Sequence, residues 1–285
     1  MSTVRHPFRI GLKLASDAPI ESFRHVWRIA DDAGFDHCWA FDHLVATGAG
    51  DKDVSVFEGW SLLAAMAEAT TRVRLGLLVS GMTYRNPALL AKLAVTIDHL
   101  SGGRLEFGVG AGYSSVEHQM YGIGETDHLA SRFSEGLHVL KMLWTQDRSN
   151  FDGQFYGLEN AVGNPKPVQT PHPAIWIGAA RPAMLRVTAA EADVWNWAGD
   201  GLEAAKEAGR QLIAACRTIG RDPSELRWSA QLRFDGNSPA SLVEELRSWF
   251  EAGFTELVIS CAGSDPVRAA TVAAEQVLPQ ARRLR

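Results

Sequence analysis

A chain of 285 residues is long enough for one large α/β barrel and short for two independent domains. Hydrophobic residues make up 46% and charged residues 21%, the balance of a globular chain with a real core, which argues against a disordered or membrane-embedded class. The net charge of -5, with Lys and Arg scattered and no basic block, excludes a phosphate-tracking nucleic-acid surface.

Cys38, Cys216 and Cys261 lie far apart without Cys-x-x-Cys spacing, so buried, reduced thiols are expected. The opening MSTVRHPFRIG lacks the apolar run of a signal peptide, and no stretch reaches the roughly 18 apolar residues of a membrane span. A cytoplasmic protein without membrane or nucleic-acid partners is the expectation.

Short apolar runs alternate with longer amphipathic stretches, the pattern of βα units around a parallel sheet. Phe8 to Ala15 reads as the first strand, and Phe23, Val26, Trp27 and Ala30 line one face of a helix that stops at Gly34. The second strand, about His37 to Phe41, precedes a helix with Trp60, Leu63, Ala64 and Ala67 on its stripe. Arg72 to Val79 is the third strand. Its helix has Asn86 as N-cap, Pro87 in the first turn, Leu90, Leu93, Ala94 and Ile97 facing inward, and Gly102-Gly103 as the stop.

Arg104 to Val109 makes the fourth strand. Later strands are Ala174 to Ile177, Ala192 to Trp195, Leu226 to Leu232 and Glu256 to Ser260; Ser238-Pro239 and Asp265-Pro266 open the last two helices. Gly209 is the one internal Gly or Pro expected to interrupt a helix. Between Tyr113 and Pro173 a helix with Phe133, Leu137, Leu140 and Trp144 precedes a polar hairpin, Asp147 to Tyr156. This segment, roughly 113–173, reads as an insertion shaping the mouth of a single domain over 1–285. Eight regular units without a dinucleotide fingerprint at the first turn favour a closed TIM-type (β/α)8 barrel over a doubly wound open sheet.

In such a barrel the active site is built from the loops leaving the C-terminal strand ends. Those loops hold Phe41-Asp42-His43, Ser80-Gly81-Met82-Thr83, Gly110-Ala111-Gly112-Tyr113, Gly178-Ala179-Ala180-Arg181 and Trp195-Asn196. Asp42-His43 reads either as an acid–base pair or as a satisfied pair at a strand end. The run Gly108 to Gly112 reads as a tight turn or as bare backbone open to a planar ring; its Gly-x-Gly-x-Gly spacing in the fourth βα turn is not a dinucleotide fingerprint. Gly178-Ala179, at a strand end before the helix near Pro182, offers free N–H groups for a phosphate, with Arg181 or Arg186 adding charge unless they are plain surface arginines. His118 beside Glu117 lacks a partner at ligand spacing, no His-Glu-x-x-His occurs, and there is no Gly-x-Ser-x-Gly elbow, so no metal site or nucleophile is expected.

Three segments carry a resemblance: GFDHCWAFDHL, TTRVRLGLLVSGMTYRNPALLAKLAVTIDHLSGGRLEFGVGAGYSSVEHQMYGI and NPKPVQTPHPAIWIGAARPAMLRVTAAEADVWN. In order and spacing they resemble the luciferase-like monooxygenase superfamily, and within it the F420-dependent oxidoreductases. The resemblance implies a bacterial-luciferase-like barrel with a cofactor ring in the mouth and its phosphate at Gly178 and Ala179, the latter standing where the family often has a second glycine. It places Asp42-His43 by the reactive ring edge and implies a non-prolyl cis peptide at Val79 and Ser80. Tyr113 stands where sugar-phosphate dehydrogenase relatives have a glutamate, so their substrate class is not expected.

The cofactor implied is the deazaflavin F420, with FMN in a monooxygenase as the alternative and a catalytically idle flavin-binding protein as the second. In the first reading the Ser80 and Gly110 backbones press on the ring, and His43, oriented by Asp42, handles the proton accompanying hydride transfer to a small organic substrate. Tyr113 is a second proton donor. Trp39, Trp195 and Met82 form an apolar wall, and Lys52, Arg85 and Lys166 are candidates to hold the oligoglutamate tail of F420. Relatives are often dimers, which implies a homodimer by analogy.

Overall fold

The computed structural model describes residues 6–15, 17–46, 53–197 and 199–284. The elements in chain order are β1 (Arg9–Leu14), α1 (Ile20–Ala33), β2 (His37–Ala40), α2 (Gly59–Ala69), β3 (Arg74–Leu77), β4 (Ser80–Gly81), α3 (Pro87–Leu100), β5 (Leu105–Gly110), α4 (Ser115–Tyr121) and α5 (Leu129–Thr145). There follow β6 (Ser149–Asp152), β7 (Gly157–Ala161), β8 (Ile175–Ala179), α6 (Pro182–Glu191), β9 (Val194–Trp197), α7 (Leu202–Thr218), β10 (Arg227–Phe234), α8 (Pro239–Glu251), β11 (Glu256–Cys261), α9 (Pro266–Val272) and α10 (Leu278–Ala281).

Parallel pairing runs β3-β2-β1-β11-β10-β9-β8-β5, and the β3–β5 pairing closes the circle. This is the eight-stranded (β/α)8 barrel that the unit count implies. The short β4 continues the third strand beyond an interruption, pairing Ser80 with Val109. The local signals work as read: Asn86 accepts from the Ala88 N–H at the start of α3, and Gly34 takes the left-handed conformation that ends α1.

Strand alternation sorts the core into two shells. Residues such as Leu75, Phe107, Ile177, Trp195 and Leu257 point outward against the helices. Inside, Trp39, Leu78, Trp176, Val194 and Val258 pack together below the mouth. Beneath them, at the strand N-termini, Arg9 pairs with Glu106 and Glu256, Arg74 with Glu106, and Arg227 with Glu256. Trp176 Nε1 donates to Glu106 and Trp39 Nε1 to His37 Nδ1, so the tryptophan plug is hydrogen-bonded into this layer. The Glu106 carboxyl is held at about 2, burial alone raising it and the surrounding arginines lowering it further.

An insertion lies between β5 and β8 as expected, but not all of 113–173 belongs to it. Helix α5 packs between α3 and α6 and is the fourth helix of the ring. The additions proper are α4 and the β6–β7 hairpin, which runs past Tyr156 to Ala161. Gly136 lies within α5, a second internal helix glycine beside Gly209. Its missing Cβ makes room for the Met82 thioether, as that of Gly209 does for the Trp228 ring.

A Cβ on Gly108 would stand 2.0 Å from the Leu77 carbonyl oxygen, whereas one on Gly157 meets only an ordinary 3.6 Å contact. Gly108→Ala is expected to cost about 2–3 kcal/mol or more in urea unfolding. Gly157→Ala is expected to stay within about 0.5 kcal/mol of the parent.

Candidate active site

The mouth at the C-terminal strand ends collects residues from the loops after β2, β4, β5 and β8 and from α4. His43 follows β2 by three residues and points its ring toward Tyr113, with centroids 6.1 Å apart, and toward Phe41 at 5.2 Å. Its Nδ1 lies 2.8 Å from Glu117 Oε2. Glu117 also accepts from the backbone N–H of Leu44 and the Tyr84 hydroxyl. The carboxylate is buried; burial alone would raise its pKa, yet these donors hold it at about 2. An ionised acceptor at Nδ1 fixes the imidazole as the Nδ1–H tautomer and leaves Nε2 as the ring's other polar atom.

Asp42 has a different partner set from the one expected. Both its oxygens accept from Arg85, and Oδ2 also accepts from Ser80 Oγ at 2.6 Å. Arg85 in turn pairs with Glu58, the N-cap of α2, and Ser80 Oγ accepts from Trp60 Nε1. Asp42 therefore ties the ends of the second and third strands together, and Glu117 orients His43. Nothing next to His43 in sequence signals this. Glu117 enters from α4, and its place beside His118 carries no local sign of a contact with His43. His118 itself is spent on Thr83 Oγ1 and the Ser114 carbonyl.

The third strand is interrupted by a cis peptide at Leu78-Val79, one bond before the Val79–Ser80 position. Val79 packs beside the tryptophan plug. Cβ atoms on Gly110 and Gly178 would stand 2.8 and 3.2 Å from the Val79 side chain. The two glycines thus form a notch for Val79, and the bare backbone expected at Gly110 is covered by its methyl groups. Gly112 has φ +80° and leaves room for Thr83 Oγ1, and Gly81 faces the Tyr84 ring. Ala111, half-buried, continues this rim, and Tyr113 is 76% exposed beside His43.

Gly178 and Ala179 end β8, and Arg181 is the N-cap residue of α6, with Pro182 opening the helix and no side chain capping its first turn. Free N–H groups at that helix start fit a phosphate, with exposed Arg181 at its edge and Arg186 a turn further along. Trp39 lies in the plug as expected. Trp195 and Met82 do not wall the mouth: Trp195 faces outward, bonding the Ala179 carbonyl, and Met82 packs on α5. Arg85 is occupied by Asp42 and Glu58, and Lys166 donates to the carbonyls of Leu143 and Gln146 behind α5. Lys52 lies outside the described residues. A groove of about 680 Å³ at the opposite, N-terminal end is lined by His6, Pro223, Trp228, Phe250, Glu251 and Gly253, and His6 Nε2 is hydrogen-bonded to the Ser224 carbonyl.

Residues 2–280 match the family model for luciferase-like monooxygenases, and the chain belongs to that family. It is 33% identical over 180 residues to the phthiodiolone/phenolphthiodiolone dimycocerosates ketoreductase of Mycobacterium tuberculosis, covering 57% of this chain. The match spans 47% of the ketoreductase, so the chain is similar to about half the length of that relative. An F420-dependent secondary alcohol dehydrogenase in complex with an F420-acetone adduct superposes with a TM-score of 0.84 at 17% identity, covering 97% of this chain and 99% of the other. A monooxygenase from Streptomyces bottropensis superposes at 0.78 with 21% identity, covering 95% and 99%. Membership of this family makes the chain an enzyme of the luciferase-like class, and the two solved structures share its fold. Among the described residues no helix is long and apolar enough to cross a membrane.

If Glu117 sets the tautomer, His43 ¹⁵N shifts at pH 8 should show Nδ1–H in the parent and a reduced Nδ1–H fraction in Glu117→Gln; equal fractions would remove Glu117 from that role. Its depressed pKa carries a sign: the stabilisation is fully present above about pH 4.5 and is lost as pH falls toward 2. The parent should therefore lose more stability across that window than Glu117→Gln does.

Proposed function

We propose that this protein is an F420-dependent oxidoreductase transferring hydride between the deazaflavin and the carbonyl or carbinol carbon of a small organic substrate. The observation that carries the reading is the His43–Glu117 pair in a mouth whose neighbouring lip, after β3, is the apolar Val79 knob. Similarity to a ketoreductase and to an F420-dependent alcohol dehydrogenase supports the ketone–alcohol direction.

Bound F420 would supply a two-electron hydride carrier that needs no oxygen activation. Val79 would support one face of the ring, and the start of α6 with Gly178, Ala179 and Arg181 would hold the phosphate. His43 Nε2 would give a proton to the substrate oxygen on reduction, or take it on oxidation, while Glu117 keeps Nδ1 protonated and stabilises the charged ring. Tyr113, at the rim, would close over the substrate and exclude water.

Purified protein titrated separately with F420 and FMN should bind F420 more tightly, read by fluorescence. Preference for FMN, with oxygen uptake on reduction, would overturn the cofactor assignment in favour of a monooxygenase. His43→Ala should lower kcat by about 10²- to 10⁴-fold with little change in cofactor affinity; unchanged turnover would take His43 out of the proton step.

A further inference from the structure

The inward face of the barrel changes character across the mouth. On the side of β3, β5 and β8 it is apolar, made by Val79 seated in the Gly110 and Gly178 notch. On the opposite side, β1, β11 and β10 present Lys13, Ser260 and Arg233, which share a single register row: Lys13 pairs with Ser260, and Arg233 pairs with Ser260. The row below holds Gly11, Val258 and Gln231, and Val258 belongs to the tryptophan plug. The Lys13 row is thus the layer directly above the floor.

Lys13 is positioned by a directed chain of hydrogen bonds. Its Nζ donates to Gln231 Oε1 at 2.6 Å, Gln231 Nε2 to Asn196 Oδ1 at 3.0 Å, and Asn196 Nδ2 to Ser229 Oγ at 3.1 Å. The chain anchors one ammonium N–H and leaves the group two more donors. The ammonium lies 5.4 Å from the centroid of Phe41, the same ring that borders His43. Among the described residues neither Lys13 nor Arg233 has a carboxylate partner, and the Ser260 hydroxyl makes no hydrogen bond. Elsewhere inside the barrel Glu106 and Glu256 are paired with arginines, and Gln231 donates to Asn196. Two cations flanking a hydroxyl, one of them largely buried without a counter-ion, form a site that lacks an anion.

We propose that Lys13, Ser260 and Arg233 form a carboxylate-recognition wall, and that the substrate is a keto acid or hydroxy acid whose carboxylate docks there while its carbonyl or carbinol carbon faces the ring. The proposal rests on the oxidoreductase reading for the reaction, but the wall is a property of this chain's own side chains. Arg233 offers a planar fork to the carboxylate, and Lys13 and Ser260 supply further donors from below. Because Phe41 neighbours both the ammonium and the imidazole, a short keto acid can reach Lys13 and His43 together. Burial pushes the Lys13 ammonium down to about 8, so it is still charged at neutral pH and gains from an arriving anion.

Carboxylate could also come from the glutamate tail of the cofactor, and the test separates the two sources. Lysine occurs at only six positions, so ¹³Cε-lysine labelling with Lys13→Met for assignment isolates the Lys13 resonance. With protein saturated by whichever of F420 or FMN it binds, levulinate should move that resonance and raise its titration midpoint, and the neutral ketone 2-hexanone should not. Levulinate affinity should fall about tenfold or more in Lys13→Met and in the exposed variant Arg233→Ala, with 2-hexanone affinity unchanged.

The preference for F420 over the tailless deazaflavin should be the same in parent and both variants; a preference that collapses in the variants would assign the wall to the cofactor tail and overturn the proposal. No Lys13 response to levulinate or benzoate, or equal weakening of acid and neutral ketone, would also overturn it. These readouts need no turnover, so failure of the hydride-transfer reading registers separately.

Discussion

The architecture of the mouth depends on a buried carboxylate, that of Glu117. A buried ionised oxygen is tolerated only when donors surround it, and here they come to α4 from two other segments: the loop after β2 through His43, Leu44 and Val45, and the turn after β4 through Tyr84. The charge therefore pins α4 to the barrel and sets the direction of the His43 ring in one arrangement. A loop addition that packing alone would leave loosely attached becomes part of the site's rigid frame. Asp42 does the corresponding work one layer outward, where Arg85 and Ser80 lock the ends of the second and third strands.

Above the plug the barrel divides by residue size and polarity. The strands β3, β5 and β8 place Gly76, Gly108, Gly110 and Gly178 on the inner face, and the space they free is filled by Trp39 below and Val79 above. The strands β9, β10 and β11 place Asn196, Gln231 and Ser260 there instead. The first side is apolar, the second polar, and His43 stands between them in the circle of strands.

The strands, their order and closure were legible because each reads as an apolar run bounded by turn residues, and the Asn86-Pro87 start and Gly34 stop need only local geometry. His43 was legible because the residue after a barrel strand points into the mouth. The errors share a cause, that contacts across the fold leave no local trace. Asp42 is adjacent to His43 in sequence but turns to Arg85, and Glu117 is 74 residues away. Trp195 and Met82 leave the expected wall because strand parity puts Trp195 on the helix-facing side and Met82 packs on α5. Lys13 is hard to see in a stretch, Phe8 to Ala15, that otherwise has the composition of a plain apolar strand. Its alternation was the available signal: in RIGLKL the inward positions are Arg9, Gly11 and Lys13, and the last lies at the C-terminal end.

The central claim is that a planar cofactor occupies the space between Val79 and the Lys13–Ser260–Arg233 row with its reactive edge at His43. A crystal structure of the protein with its bound cofactor measures this directly. The account requires the ring face on the Val79 side chain, the phosphate at the start of α6 and His43 Nε2 turned toward the reactive edge. A ring found in the N-terminal groove by Trp228 and Phe250, or a phosphate bound away from Gly178, would contradict it.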